Sequence, residues 1–204
     1  MSQEISHYVG ICSDMTLLKE QQQDLERMAY HDPLTGLPNR TLFFDSVNQA
    51  LARTRRKNEL LAICYLDLDD FTPVNDSMGH KAGDQLLIQM SERIRNTLRA
   101  HDVVARLGGD EFALLLNGLE SPQEASHTLD RLLVVIGEPY ELNGQMIHVK
   151  ASIGYTLYPL DDSGLDELVQ HADKAMYRSK LNGGNNYHKY DASDDSLVRM
   201  PRED

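Results

Sequence analysis

The sequence predicts an α+β domain in which a central mixed sheet of about five strands carries helices on its faces. Three features of the chain say so. Residues 60–66 form an unbroken apolar run, as a strand buried on both faces requires. Two more apolar runs, 103–105 and 112–116, flank Gly108-Gly109, a pair suited to a tight hairpin turn. Around these strands lie segments whose apolar residues recur every three or four positions, the period of a helix.

Residues 5–16 do not read as the start of a domain: His7-Tyr8-Val9-Gly10-Ile11-Cys12 has strand character and leads into Ser13-Asp14-Met15-Thr16. Met15, Leu18, Gln22, Leu25 and Ala29 then alternate spacings of three and four, the seam of a coiled coil. That seam reads either as a dimerising stalk that transmits a signal or as an amphipathic helix packed on its own domain. Asp32-Pro33-Leu34-Thr35-Gly36-Leu37-Pro38-Asn39-Arg40 is dense in turn residues and must break the helix. Asn39 can cap a next helix with Phe43, Val47, Ala50 and Leu51 inward. Arg53, Arg55, Arg56 and Lys57 crowd its far end, where cations favour the helix dipole.

The apolar strand ends in Asp67-Leu68-Asp69-Asp70. A loop with Asn75-Asp76 and Gly79-His80 leads to a long helix ending near residue 98, with Leu86, Leu87, Met90 and Ile94 inward and Asp84 in its first turns. After the Gly-Gly hairpin, Ser121-Pro122-Gln123-Glu124 has the pattern of a capping box. Asn143-Gly144 marks a second hairpin. Ile147, Val149, Ala151, Ile153, Tyr155 and Leu157 then alternate as a half-buried strand should. A last helix over about 164–181 turns Leu165, Leu168, Val169, Ala172 and Met176 inward and stops at Gly183. The polar tail beyond it reads as a linker.

With 204 residues, 41% of them hydrophobic, the chain suffices for one well-buried domain plus an extension. No apolar run approaches the ~18 residues of a membrane helix, and no signal peptide is visible. Cys12 and Cys64 are the only cysteines, one of them inside an apolar run, so a reducing, cytoplasmic compartment fits better than a disulfide framework. The formal net charge of −12 opposes general nucleic-acid binding, which needs a basic surface. It suits carboxylates that hold cations, which in turn hold an anionic substrate, and equally suits plain solubility.

The chemistry concentrates in two carboxylate clusters. Asp67 and Asp69 stand at the end of the buried strand, Asp110 and Glu111 at the mouth of the hairpin. If the two strands are neighbours, the clusters converge. Carboxylates a few ångströms apart repel unless protonated or bridged by a cation. Mg²⁺ is a natural bridge, taking one or two carboxylates plus phosphates, and such a site suits in-line nucleotidyl transfer. Asp69 and Asp70 read as acids at a solvated strand end, and the hairpin acids alone read equally as a solvated turn. Asp67, closing a fully apolar run, reads as functional.

Gly108-Gly109-Asp110-Glu111-Phe112 resembles the signature of the GGDEF family, the diguanylate cyclases. Four further blocks match in order: Asp32 to Arg40 as quoted above; Asp67-Leu68-Asp69-x-Phe71; Asn75-Asp76-x-x-Gly79-His80-x-x-Gly83-Asp84; and Asp173-Lys174-Ala175-Met176-Tyr177-x-x-Lys180. The stretch near the N-terminus is similar to the last strand and closing Asp-x-Thr of a PAS sensory domain. The implied organisation is a PAS-like tail (1–16), a coiled-coil signalling helix (17–30), a GGDEF domain with a nucleotide-cyclase-like palm (31–190) and a polar linker (191–204). The chain would then be a piece of a longer sensor, with its further domains and membrane attachment left open.

The resemblance implies condensation of two GTP into cyclic di-GMP and two pyrophosphates. Each domain holds one GTP, so the reaction needs a homodimer. It implies Mg²⁺ (or Mn²⁺) held by the Asp67 carboxylate, the Leu68 carbonyl and Asp110. Asp110, with Glu111 beside it, would assist deprotonation of the 3′-hydroxyl. Asn75 and Asp84 would read the guanine edge, His80 would share the pocket wall, and Lys180 would hold phosphates. Arg99-Ala100-His101-Asp102 fits the Arg-x-x-Asp motif of product inhibition, with Arg99 forking onto cyclic di-GMP and Asp102 taking base donors. Two positions depart from the pattern: Thr72 stands where lysine is usual, and Gly184 where arginine or lysine is usual. The expectation is a working cyclase that is slow or binds GTP weakly. The alternative is a regulatory module that binds GTP or cyclic di-GMP.

Overall fold

The computed structural model describes residues 27–57, 59–191 and 194–195. The PAS-like strand, the coiled-coil seam up to Leu25 and the tail beyond residue 195 lie outside the described residues. Residues 27–30 are helical and run into the turn-rich block. The elements that follow are α1 (Arg40–Lys57), β1 (Leu60–Asp69), α2 (Phe71–Met78), α3 (His80–Thr97), β2 (Val103–Gly108) and β3 (Glu111–Leu119), then α4 (Pro122–Ile136), β4 (Tyr140–Leu142), β5 (Gln145–Ile147), β6 (Lys150–Tyr158), α5 (Leu165–Leu181) and β7 (Tyr187–Lys189).

Five strands form one mixed sheet in the order β2-β3-β1-β6-β7, antiparallel except for the β6–β7 pair; β4 and β5 make a separate hairpin. The apolar run that predicted a buried strand is the middle strand, β1. Ala62, Cys64 and Leu66 pack with Leu86, Met90 and Leu129 of α3 and α4. Leu61, Ile63 and Tyr65 pack on the opposite face with Phe43, Val47, Leu168 and Met176 of α1 and α5. Full burial of each leucine or isoleucine among them stabilises by about 1.5–3 kcal/mol, so the two-faced core fixes β1 at the centre.

Helix α1 starts as expected, with Asn39 Oδ1 accepting from Leu42 N at 3.2 Å. Helix α5 makes its closest approach over Gly154 of β6, where any Cβ would overlap the backbone of Ala172 and Met176. That approach carries the end of α5 toward the end of β1.

Three local expectations are overturned. The Asn75-Asp76 segment is helix α2 rather than loop; Pro73 sits in its first turn, where a missing N–H breaks no helical bond. The strand expected from Ile147 to Leu157 is broken, with Ile147 closing β5, and β6 is buried on both faces because helices cover each side. The capping box at Ser121 does not form: the Glu124 carboxylate pairs instead with Arg99 at 3.2 Å.

Gly154→Ala is expected to destabilise the domain by about 3 kcal/mol or to prevent folding, because the obstacle is backbone and cannot rotate away. A urea midpoint within error of the parent protein would rule out this account of α5.

Candidate active site

The register of β1 on β3 sets Asp67 directly opposite Glu111. Pairing with β3 ends there, while β6 continues beside Leu68 and Asp69. Gly108 (φ 145°) and Gly109 (φ 51°) make the turn in backbone conformations that side chains rarely adopt, and Asp110 follows. Asp67, Leu68, Asp110 and Glu111 therefore gather at one end of the central strands.

Asp67 is 7% exposed. Burial, and then the charge of Asp110, push its carboxyl up to about 6, against the pull of Lys180, whose Nζ donates to Asp67 Oδ1. Burial also raises the Asp110 carboxyl, with Lys180 and Arg106 pulling the other way. A divalent cation between the two would relieve both. The Asp67 and Asp110 carboxylates and the Leu68 carbonyl are all hard oxygen donors, the kind Mg²⁺ takes. Among the described residues no group of three or more His, Cys, Asp or Glu side chains is placed to cage a metal alone. Glu111 is buried beside this pair and accepts from Tyr65 Oη at 3.1 Å.

Arg106 braces the turn. It donates from Nε and Nη2 to Gly109 O (2.9 and 2.8 Å) and from Nη1 to both oxygens of Asp32 (3.1 Å each). Asp32 also accepts from Thr35 N (2.8 Å) and Thr35 Oγ1 (2.6 Å). Burial alone would raise the Asp32 carboxyl, but the hydrogen bonds from Thr35 and Arg106 outweigh it and hold it low. The turn-dense block that opens the domain thus reaches the signature hairpin.

Helix α2 leaves β1 directly and lays Asn75 against Gly83 of α3, where a Cβ would overlap its amide. Asp84 is the next residue, with His80 one turn earlier, and both are exposed. Arg99 and Asp102 lie at the far end of β2, about 17 Å along the strand from the turn. The Asp102 side chain is 4% exposed and accepts from the backbone N of Arg99 and of Asn117, both at 3.0 Å. The Arg99 guanidinium is exposed.

Asp69 is not the solvated acid the sequence suggested. Its Oδ1 accepts from Ser152 Oγ (2.7 Å) and its Oδ2 from Asn185 N (2.8 Å), fastening the loop after α5 to β1. Tyr65, Arg106, Ser152 and Gly154 are contributors that motif spacing did not single out. Only Gly154 left a signal, since an isolated glycine within a strand pattern marks close backbone approach.

The diguanylate cyclase GGDEF domain model matches residues 29–186. The chain belongs to the GGDEF family. It is 43% identical over 178 residues to the bifunctional diguanylate cyclase/cyclic di-GMP phosphodiesterase MucR of Pseudomonas aeruginosa, covering 87% of this chain and 26% of MucR. It is 36% identical over 187 residues to the diguanylate cyclase TpbB of the same organism, covering 91% of this chain and 43% of TpbB. The chain therefore spans less than half of these relatives' length. The solved GGDEF domain of TpbB matches with a TM-score of 0.79 at 38% identity, over 81% of this chain and 97% of that one. The coiled coil and GGDEF domain of DgcB from Caulobacter crescentus, in complex with c-di-GMP, match at 0.78 and 26% identity, over 86% and 93%. The cyclase-like α+β fold is thereby established.

In this GGDEF domain the departure at 184 is built into the backbone. Gly184 has φ 67°, and a Cβ there would lie 2.6 Å from Asp69 Oδ2. A side chain there would crowd the Asp69 carboxylate from a left-handed backbone, so the position disfavours a basic residue. Thr72, the other departure, is exposed in the first turn of α2.

Gly184→Arg is expected to lose about 1–3 kcal/mol of stability from left-handed strain and crowding, with no gain in GTP affinity by calorimetry. Tighter GTP binding at unchanged stability would contradict it. A second expectation concerns pH. Folding raises the Asp67 carboxyl above its unfolded value near ~3.9, so the metal-free folded state binds that proton more tightly than the unfolded chain. The contribution of Asp67 to stability therefore rises as pH falls from above 6 toward 4. Relative to Asp67→Asn, the wild-type protein should gain stability between pH 8 and pH 5 in denaturant titrations without metal. A flat difference would disprove it.

Proposed function

We propose that this domain is a diguanylate cyclase that condenses two GTP into cyclic di-GMP with release of two pyrophosphates. The observation that carries this reading is the cross-strand meeting of buried Asp67 with Asp110 and Glu111, both carboxyls of the first pair pushed up and Lys180 at the same end.

The Asp67 carboxylate, the Leu68 carbonyl and Asp110 would hold a divalent cation. Bound there, Mg²⁺ or Mn²⁺ neutralises phosphate charge and lowers the pKa of the attacking hydroxyl. Asp110, whose carboxylate is made more basic by burial, accepts the 3′-hydroxyl proton, with Glu111 beside it. The 3′-oxygen then bonds to the α-phosphorus of the second GTP as the bond to the β-phosphate breaks. Pyrophosphate leaves, and the same exchange in the opposite sense closes the ring. Lys180 steadies the phosphates. The Asp84 carboxylate accepts from the N1 and N2 donors of guanine beside Asn75, with His80 in the pocket wall; adenine would leave that acceptor unpaired.

Each domain holds one GTP, so two copies meet face to face, aligned by the helical stalk that precedes the domain. Residues 1–16 are the tail of a PAS-like sensor, residues 17–30 the stalk, residues 31–190 the cyclase domain, and residues 191–204 a linker. Exposed Arg99 takes cyclic di-GMP and brings product inhibition, with Asp102 holding the turn that presents it through the Arg99 and Asn117 backbone. No helix among the described residues is long and apolar enough to cross a membrane. The proposed place of work is the cytoplasm, where GTP is. A second reading, a GTP- or cyclic di-GMP-binding regulatory module, is favoured by Thr72 and by Gly184.

Purified protein with GTP and Mg²⁺ should yield cyclic di-GMP by chromatography, and Asp110→Asn should lose about 10²–10⁴ of the rate. Binding of GTP without any cyclic dinucleotide, even at high protein concentration, would decide for the regulatory module. Arg99→Ala should abolish calorimetric binding of cyclic di-GMP outside the GTP pocket; unchanged product binding would sink the inhibitory role.

A further inference from the structure

The residue assigned to the phosphates is engaged elsewhere in this structure. Lys180 Nζ donates to Asp67 Oδ1, an oxygen of the carboxylate assigned to the divalent cation. An ammonium seated on that oxygen and a metal ion bound there repel each other, so the two compete. Both sides of the contact suit an exchange. Asp67 is buried, and a buried charge needs a partner at all times. Lys180 lies in the last turn of α5 with its side chain 35% exposed, on a flexible stem that can swing away. Arg106, the other cation acting on Asp110, is fastened to Asp32 and to Gly109 O and does not move freely.

We propose that Lys180 is the resident counter-ion of Asp67, displaced by the divalent cation, and that its release couples metal binding to nucleotide binding. The metal frees the ammonium, and the freed ammonium meets the phosphates. Metal alone must break the ion pair with nothing to receive the lysine. Metal with nucleotide recovers that interaction, so each tightens the other reciprocally. With threonine at 72 and glycine at 184, Lys180 is the family cation left for the phosphates, which makes its engagement with Asp67 consequential. The inference rests on the metal–GTP reading above but not on turnover.

The test measures Mn²⁺ binding by electron paramagnetic resonance, alone and with a non-reacting α,β-methylene analogue of GTP. Lys180→Gln should bind Mn²⁺ alone about tenfold more tightly than wild type, as removal of one facing charge requires. It should also show a smaller tightening of Mn²⁺ by the analogue. Lys180→Arg, which keeps the charge, should bind Mn²⁺ alone as wild type does. Unchanged or weaker binding of Mn²⁺ alone in Lys180→Gln overturns the proposal, as does a gain in binding of Mn²⁺ alone in Lys180→Arg equal to that in Lys180→Gln. Absence of cyclic di-GMP in the turnover assay would overturn the cyclase reading and leave the metal exchange standing.

Discussion

The antiparallel register of β1 on β3 is the constraint from which the site follows. Side chains alternate along a strand with a period of two, so a slip of one residue would send Asp67 to the opposite face and away from Lys180. What prevents the slip is the core. Ile63 and Leu115, paired across the two strands, are both buried on the α1/α5 side, while Cys64 and Leu114 are buried on the other. The apolar packing that folds the sheet is the same interaction that brings Asp67 opposite Glu111. Chemistry and stability share one register here.

That arrangement puts several acids where water is scarce, and the chain compensates locally. Lys180 meets Asp67, Tyr65 meets Glu111, and Arg106 draws on Asp110 while holding the turn. Asp69, two residues from Asp67, is occupied by Ser152 and by the backbone of Asn185. The same fastening shapes the loop so that only glycine fits comfortably at 184. A position that looks like a lost cation in the sequence is, in space, one side of a structural joint.

The elements were largely legible because they follow local periods: the unbroken run of β1, the helical spacing in α1, α3 and α5, and the turn chemistry of Gly108-Gly109 and Asn143-Gly144. The acids at strand ends were legible for the same reason. Partnerships between distant residues were not. Nothing near Arg106 announces Asp32, 74 residues away, and nothing near Asp69 announces Asn185, 116 residues away. Local reading also misjudged segments where two signals competed. The Asn75-Asp76 segment read as a loop although Pro73, in the first turn, is compatible with a helix, and Glu124 looked like a capping partner until Arg99 claimed it. The turn Asp102 stabilises through the Arg99 and Asn117 backbone was likewise invisible to spacing.

The brace at Arg106 also decides where this domain can be joined to another module. Asn39 ties the turn-rich block to the helical end before it, donating from Nδ2 to Ala29 O and from its backbone N to Tyr30 O, both at 2.9 Å. The path from upstream helix to signature hairpin is thus Ala29, Asn39, the Asp32 loop and Arg106. A chimera spliced within the loop would keep every signature residue and still leave Arg106 without its anion and the hairpin slack. A fusion partner joined upstream of Ala29 leaves that whole linkage intact.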